Sequence, residues 1–252
     1  GVGVDWSAVF AGSGGRQVRL PTYAFARRRF WLDGSANAAD VGEAGLVAAG
    51  HALLGAVVEQ PDTGAVVLTG RLSLARQPWL ADHLVGGAVL FPGTGFVELA
   101  IRAGDEVGCG VVEELTLATP LVLNAGTAVQ VQVVVGGAGQ SGQRLVSMYS
   151  RADQPDQHWV LHAQGSVAPA AVQPAPAASA ELSTWPPAGA EAVDIGGLYE
   201  RLARRGYGYG PAFQGLRAVW RRGRDVFAEV GLPNDEDLDL TDVGIHPALL
   251  DA

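Results

Sequence analysis

Alternating apolar and polar residues, interrupted by one helical segment, most constrain the fold of this chain. Residues 129–133 read Val-Gln-Val-Gln-Val, and the segments 144–149 and 159–167 continue the strand-like character. Strict alternation places apolar side chains on one face of a sheet and polar side chains on the other. Residues 93–103 instead show helical spacing. The apolar face of that helix would consist of Phe96, Leu99, Ala100 and Ala103. The sequence therefore predicts an α+β fold, in which a curved antiparallel sheet wraps around a central helix.

Composition and charge exclude several classes of protein. The chain has 252 residues, 48% of them hydrophobic, and a formal net charge of -9. This length allows one large domain or two smaller ones, and the acidic balance argues against nucleic-acid binding, which needs a basic surface. The single cysteine, Cys109, excludes an internal disulfide framework and fits a reducing cytoplasm. The apolar run 84–101 is broken by Pro92 and Glu98, and no signal peptide is recognisable. We therefore predict a cytoplasmic protein with no membrane span.

A lone histidine, His83, heads a glycine-rich apolar run that Pro92 interrupts. An imidazole in this position would be partly withdrawn from water and close to flexible backbone amides. Such a setting suits removal of a proton beside a carbonyl group, where a base and oxyanion donors must act together. The alternative interpretation is a core histidine whose ring bonds to a backbone carbonyl.

Two further motifs follow His83 along the chain. Residues 83–92 have the pattern HxxxGxxxxP, residues 206–215 read GYGYGPAFQG, and residues 246–251 read HPALLD. In this order and spacing, they closely resemble the dehydratase domain of modular type I polyketide synthases, and the resemblance covers roughly residues 50–252. The segment 20–31, which contains LPTYAF and RFW, resembles the linker that follows the acyltransferase domain in the same proteins.

The resemblance implies a double hotdog: two similar folds in one chain, each a curved antiparallel sheet wrapped round a central helix. We expect the second hotdog to begin with a helix at 195–204 and to be incomplete, because the chain stops shortly after a helix that Pro247 would open. The expected domains are a post-acyltransferase linker strap at 1–35, a flexible linker at 36–49, the N-terminal hotdog at 50–168, an Ala/Pro-rich inter-hotdog linker at 169–190, and the start of the C-terminal hotdog at 191–252.

For activity, the resemblance implies removal of water from a β-hydroxyacyl thioester on an acyl carrier protein during polyketide chain elongation. His83 would be the general base, and Asp251 the general acid that its apolar surroundings keep protonated. The amide of Gly87 would donate to the developing oxyanion, and Pro92 would open the central helix, whose positive end favours that charge. The implied substrate-binding residues are Gly87, Pro92, Tyr209, Gly210 and Pro211.

The resemblance implies no metal and no bound organic cofactor, because the phosphopantetheine arm of the acyl carrier protein brings the substrate. The implied partners are that carrier protein, the ketosynthase, acyltransferase and reductase domains of the same polypeptide, and a second copy in a homodimer. In this family a Gln or His four residues after the catalytic Asp orients it, and here that position lies past Ala252.

Several alternatives stay open. Tyr209 could serve only the structure of its turn, and the same His/Asp pair could shift a double bond or close a ring. The chain could also be a non-catalytic scaffold fragment. Six arginines could form a docking surface for the acidic carrier protein or for the phosphate of its arm, the alternative being a solvated face. They are Arg201, Arg204, Arg205, Arg221, Arg222 and Arg224.

The remaining titratable residues are assigned no catalytic role. His158 and His162 would share one face of a strand but lie too far apart to be neighbouring zinc ligands. His51 and His246 are expected at the starts of structural elements. Cys109 has no basic neighbour that would activate it as a nucleophile.

Overall fold

The structure is a computed structural model that describes residues 3–14, 41–154, 156–170, 182, 184–232 and 242–252. The chain divides into two compact units, residues 1–37 and 38–252. The predicted strap motif at 20–31 and most of the predicted Ala/Pro-rich linker lie outside the described residues.

In the described part of the first unit, one short helix, α1 (Trp6–Val9), is present. The carboxylate of Asp5 caps it by accepting hydrogen bonds from the amides of Ser7 at 3.0 Å and Ala8 at 3.4 Å. The rings of Trp6 and Phe10 stack with their centroids 6.4 Å apart.

The second unit contains the remaining helices and strands. The helices are α2 (Gly93–Glu106), α3 (Leu198–Arg204) and α4 (Pro247–Leu250). The strands are β1 (Val47–His51), β2 (Leu54–Gln60), β3 (Ala65–Leu72), β4 (His83–Val85), β5 (Ala88–Val89), β6 (Val111–Leu117), β7 (Val129–Val135), β8 (Arg144–Ala152), β9 (Val160–Ala168), β10 (Glu191–Val193), β11 (Tyr207–Tyr209), β12 (Leu216–Arg222) and β13 (Asp225–Val230). Short 3-10 helices occupy Val41–Ala44, Pro78–Asp82 and Pro211–Phe213.

A seven-stranded antiparallel sheet with the order β1-β2-β3-β7-β8-β9-β6 forms the body of this unit. The alternation predicted at 129–133 is confirmed, since Val131 and Val133 are buried and the glutamines between the valines are only partly so. These valines share one apolar core with Phe96 and Leu99 of α2. The helix lies against β6, β7, β8 and β9, so the sheet curves around it and the α+β prediction is confirmed.

Two smaller antiparallel sheets complete the described part of the second unit. One has the order β10-β12-β13. The other has the order β11-β4-β5, and in it Tyr209 of β11 pairs with His83 of β4. This sheet joins segments more than a hundred residues apart, and it brings two of the three sequence motifs together.

Several elements differ from the expectations. β1 begins at Val47, inside the segment expected as a flexible linker, and His51 ends that strand rather than starting an element. The helix expected at 195–204 begins only at Leu198, because Gly197 before it has a left-handed backbone with φ 63°. α2 continues past Ala103 to Glu106. None of the helices in the described ranges is long and apolar enough to cross a membrane.

Candidate active site

His83 stands at the start of β4, directly after a 3-10 helix, and its side chain is 9% exposed. Its Nδ1 lies 2.9 Å from the backbone oxygen of Leu90. A carbonyl oxygen can only accept, so Nδ1 carries the hydrogen and Nε2 of the neutral ring has a free lone pair. The carbonyl contact expected for a core histidine is therefore present, and it is also the contact that leaves Nε2 able to act as a base.

Asp251 lies directly after α4, which Pro247 opens as predicted. Its Oδ2 is 3.6 Å from Nε2 of His83, and its Oδ1 lies 3.5 Å from the hydroxyl of Thr94. The structure thus brings together the two residues predicted as base and acid, which are far apart in the sequence of the second unit. Thr94, at the start of α2, is the residue whose hydroxyl lies at Oδ1.

Burial raises the pKa of Asp251 above its ordinary value, against the opposing effects of the nearby His83 and of the Tyr209 and Thr94 hydroxyls. In the described part of the chain, no donor meets hydrogen-bond geometry at Oδ2, although the Tyr209 hydroxyl helps to stabilise the charge. A buried carboxylate oxygen without a donor favours the protonated acid. The site therefore places the free lone pair of the His83 Nε2 against a carboxyl group whose pKa is raised by burial.

Tyr209 pairs with His83 across β11 and β4, and their ring centroids are 5.6 Å apart. Burial, followed by the charge of Asp251, raises the pKa of the Tyr209 phenol. Its hydroxyl consequently stays protonated and can donate to the carboxylate or to a bound substrate. Phe213 also packs against His83, with centroids 5.0 Å apart.

The turn that follows Tyr209 is held by Asp82, the residue just before His83. The backbone oxygen of Asp82 accepts from the Gly210 amide at 2.8 Å, and its Oδ2 accepts from the Ala212 amide at 2.8 Å. A Cβ on Gly210 would lie 2.4 Å from the Asp82 carboxyl carbon, so only glycine allows this approach. Pro211 then opens the 3-10 helix Pro211–Phe213. Gly210 and Pro211 therefore shape the turn behind Tyr209.

Pro92 lies at the N-cap of α2, as predicted, and Gly93 is the first residue of the helix. Gly87 lies in a tight turn. Gly86 and Gly87 form the two-residue turn between β4 and β5, with φ values of 60° and 83°. The turn lies roughly 10 Å from His83 along the strand, at about 3.3 Å per residue. The turn requires glycine at this position, and the contact of the Gly87 amide with the reacting thioester stays a prediction.

Two apolar pockets adjoin the pair, one at each member. A pocket of about 330 Å³ is lined by His83, Leu90, Phe91, Gly93, Phe96, Leu117, Ala118, Thr119 and Pro120. A second, of about 310 Å³, is lined by Leu198, Tyr199, Leu202, Tyr207, Tyr209, Phe213, Leu216, Asp251 and Ala252. A larger depression of about 680 Å³ beside β1–β3 contains neither member of the pair. The two smaller pockets are the better candidates for a substrate site, since apolar walls with a few polar groups are typical of such sites.

The other candidates from the sequence do not join this site. His162 lies on β9 with its Nε2 2.7 Å from the Ser150 hydroxyl and its Nδ1 2.8 Å from the Thr119 oxygen. Cys109 is buried. No cluster of three potential metal ligands occurs within the described ranges. The arginines considered for docking lie on or near α3, β12 and β13, and their role stays a prediction.

Sequence reasoning missed three residues that shape the site: Asp82, Thr94 and Phe213. Asp82 and Thr94 had a local signal, since one precedes His83 and the other follows the Pro92-Gly93 helix start. Phe213 lies inside the GYGYGPAFQG motif itself. Their contacts cross between the two halves of the unit, which spacing along the chain does not reveal.

Two family models match the chain. One, described as a polyketide synthase dehydratase domain, matches residues 51–151, and one described as a polyketide synthase dehydratase N-terminal domain matches residues 177–252. A phenolphthiocerol synthesis type I polyketide synthase of Mycobacterium bovis is 62% identical and covers 100% of this chain, which spans 12% of that protein. A phenolphthiocerol synthesis polyketide synthase of Mycobacterium tuberculosis, whose name calls it inactive, is also 62% identical, over 100% of this chain and 15% of its own length.

Solved structures agree with these matches. The dehydratase domain from the terminal module of the rifamycin polyketide synthase has a TM-score of 0.78 and 48% identity, over 84% of this chain and 78% of that chain. Two mutants of the CurK dehydratase, one with Asp changed to Asn and one with His changed to Phe, are described as inactive. They have TM-scores of 0.65 and 0.64 at 26% identity, over 80% of this chain and 71% of theirs. With its hotdog fold, this chain belongs to the dehydratase domain family of modular type I polyketide synthases.

Proposed function

We propose that this chain dehydrates a β-hydroxyacyl thioester on an acyl carrier protein to an α,β-unsaturated thioester. One observation carries the proposal: the free Nε2 of His83 lies 3.6 Å from the Oδ2 of Asp251, a carboxyl group that burial holds towards its protonated form. Elimination of water needs a base for the α-proton and an acid for the leaving hydroxyl. The inactive His and Asp mutants of the CurK dehydratase also support these roles.

His83 begins the reaction by taking the α-proton on Nε2. The electrons of the broken C–H bond move towards the thioester carbonyl, whose oxygen gains negative charge. The amides of Gly93 and Thr94 at the start of α2 suit this charge, because the first amides of a helix have no intrahelical partner and lie at its positive end. Gly93 lines the same pocket as His83, so we assign the oxyanion contact to this helix start instead of to Gly87.

Asp251 completes the elimination by donating its proton to the β-hydroxyl. The C–O bond breaks, water leaves, and the C=C bond forms from the electrons of the former C–H bond. His83 is then protonated and Asp251 ionised, and proton transfer between the two restores both groups for the next turnover. Tyr209 would donate a hydrogen bond to Asp251 or to the departing hydroxyl.

The partners follow from the relatives, which are polyketide synthases much longer than this chain. We propose an acyl carrier protein that delivers the substrate on its phosphopantetheine arm, with ketosynthase, acyltransferase and reductase domains in the same polypeptide and a second copy in a homodimer. The proposed steps are proton transfers and bond cleavages that the side chains perform themselves, so they require no metal or redox cofactor.

The test is mass spectrometry of a β-hydroxyacyl carrier protein incubated with the protein that carries this chain. We expect a product 18 mass units lighter, the mass of one water, and its loss in the His83→Phe and Asp251→Asn variants. A product of unchanged mass would indicate isomerisation instead of dehydration. No change in substrate would favour a non-catalytic scaffold.

A further inference from the structure

A buried acidic residue, Glu98, plays no part in the proposed chemistry. It lies on α2 with its side chain 1% exposed. Its Oε1 accepts from the Gly244 amide at 2.6 Å, and its Oε2 accepts from the Ile245 amide at 2.9 Å. A carboxylate is costly to bury unless donors surround it, so this cluster needs an explanation.

His51 supplies the third donor to this carboxylate. Its Nδ1 lies 3.1 Å from the Leu53 amide, which can only donate, so the hydrogen of the neutral ring is on Nε2. That Nε2 lies 3.3 Å from Oε1 of Glu98. Burial raises the pKa of Glu98, but the three hydrogen bonds together outweigh this effect and hold that pKa below its ordinary value. Glu98 is therefore a charged acceptor for the backbone of residues 244 and 245.

The two anchored amides lie just before the helix that presents Asp251. The next residue, His246, caps α4 by accepting from the Ala248 amide at 3.2 Å, and its ring packs on Trp79 at 4.7 Å. α4 has only four residues, too few to be stable alone. The position of Asp251 therefore depends on what holds the segment at its two ends.

α2 holds both ends of that segment. Thr94 and Glu98 are four residues apart on the helix and so lie on one face. Glu98 binds the start of the segment, and Thr94 contacts Asp251 at its end. The same helix supplies the amides assigned to the oxyanion, so base-side and acid-side groups share one rigid support.

We propose that Glu98, charged and supported by His51, is a positioning residue that sets the distance between Asp251 and His83 by anchoring the backbone of residues 244–245. The expected change in kcat rests on the proposed function. The expected change in the surroundings of Asp251 when Glu98 is replaced is independent of that function.

The experiment compares Glu98→Gln with Glu106→Gln in the protein that carries this chain. Glu106 is the matched control, since it lies on the same helix and its carboxylate pairs with Arg102 at 2.6 Å; among the described residues it makes no hydrogen bond or ion pair with Asp251 or residues 244–245. In Glu98→Gln we expect kcat to fall about tenfold or more with KM within about twofold, as for a misplaced catalytic group in an intact pocket. The control should keep both constants.

The second readout needs no activity: the carboxyl carbon resonance of Asp251 by NMR. We expect it to move in Glu98→Gln and to stay in place in Glu106→Gln. An unchanged resonance, or a moved resonance with unchanged kcat, overturns the proposal. If the wild-type protein does not dehydrate, the proposed function fails, while the resonance still decides whether Glu98 positions Asp251.

A milder variant covers the case in which Glu98→Gln fails to fold. In His51→Asn, the shorter side chain can still accept from the Leu53 amide but no longer reaches Glu98, and both backbone anchors remain. The kcat and resonance changes should have the same direction as in Glu98→Gln and be smaller. Wild-type values for both in a folded His51→Asn protein would count against the role of His51 in the proposal.

Discussion

The base and the proposed acid are held in place in two different ways. His83 belongs to a strand that is hydrogen-bonded on both sides, to β5 and to β11, and its ring is fixed by the Leu90 carbonyl across the same hairpin. Asp251 follows a four-residue helix, and its position depends on side chains of α2. Sheet register determines the first position, whereas a few tertiary contacts determine the second.

This contrast predicts different sensitivities. A strand within a sheet is held by backbone hydrogen bonds to both neighbouring strands. When one side-chain contact is removed, these hydrogen bonds still keep its residues in position. A four-residue helix is not stable by itself, so its position depends on the two or three side chains that contact it. Substitutions around Asp251 should therefore affect its position more than comparable substitutions around His83.

The largest expected effect is on the reacting pair itself. His83→Phe and Asp251→Asn should each lower kcat by roughly 10²–10⁴, the usual contribution of a general base or acid. Steady-state kinetics with a β-hydroxyacyl carrier protein measure this loss. Full turnover in either variant would contradict the assigned role of that residue.

The next largest effect concerns the contact that joins the two motifs behind His83. Asp82→Ala removes the acceptor of the Ala212 amide, and we expect a free energy of unfolding lower by about 1–3 kcal/mol. Chemical denaturation measures the change. Asp62→Ala, a loop substitution between β2 and β3, is the control and should stay within about 0.5 kcal/mol of wild type. Equal losses in both variants would show that the Asp82 contact adds nothing specific.

Asp251→Asn should stabilise the fold near neutral pH while it abolishes activity. The pKa of Asp251 is raised in the folded state, so between the ordinary and the raised value the folded protein binds more protons than the unfolded chain. Stability from this group is therefore present at low pH and is lost as pH rises through that window. Removing the charge should therefore raise the free energy of unfolding at neutral pH.

Thermal unfolding across the pH range checks this prediction. The Tm advantage of Asp251→Asn over wild type should be small at acidic pH and should grow towards neutral pH. The opposite trend would mean that the folded protein favours the charged carboxylate, which would weaken its assignment as the acid.

The smallest effect is expected for Thr94→Val, which keeps the side-chain shape and removes the hydroxyl 3.5 Å from Asp251. The Thr94 hydroxyl lowers the pKa of Asp251, so its loss should raise that pKa further and change kcat by a few-fold. The alkaline limb of the kcat–pH profile, where the acid loses its proton, and NMR titration of Asp251 measure the shift. Thr69→Val, on β3, is the control. A shift of equal size in the control would contradict a specific contact.

Within the second unit, the sequence predicted the helix and strands of the large sheet better than the elements that follow it. Alternation at 129–133 and the apolar face of α2 are local patterns whose periods follow from strand and helix geometry, so they were recognised directly. β1 was missed from Val47 to Ala49 because residues 47–51 read Val-Ala-Ala-Gly-His, which has little strand character. The domain boundaries and the strap at the start of the chain stay predictions.

For the site, the sequence by itself determined the identities of His83, Asp251 and Tyr209, since each lies in a motif whose residue types suit the chemistry. Only the tertiary structure decided how these residues are arranged in space and which side chains contact them. It paired Tyr209 with His83, placed Asp251 3.6 Å from Nε2, put Gly87 in the turn between β4 and β5, and revealed the contacts of Glu98 and Thr94 with the segment that carries Asp251. The physical reason is that a motif specifies local geometry, whereas contacts between distant residues, such as Thr94 and Asp251 157 positions apart, depend on how the sheet and helix pack.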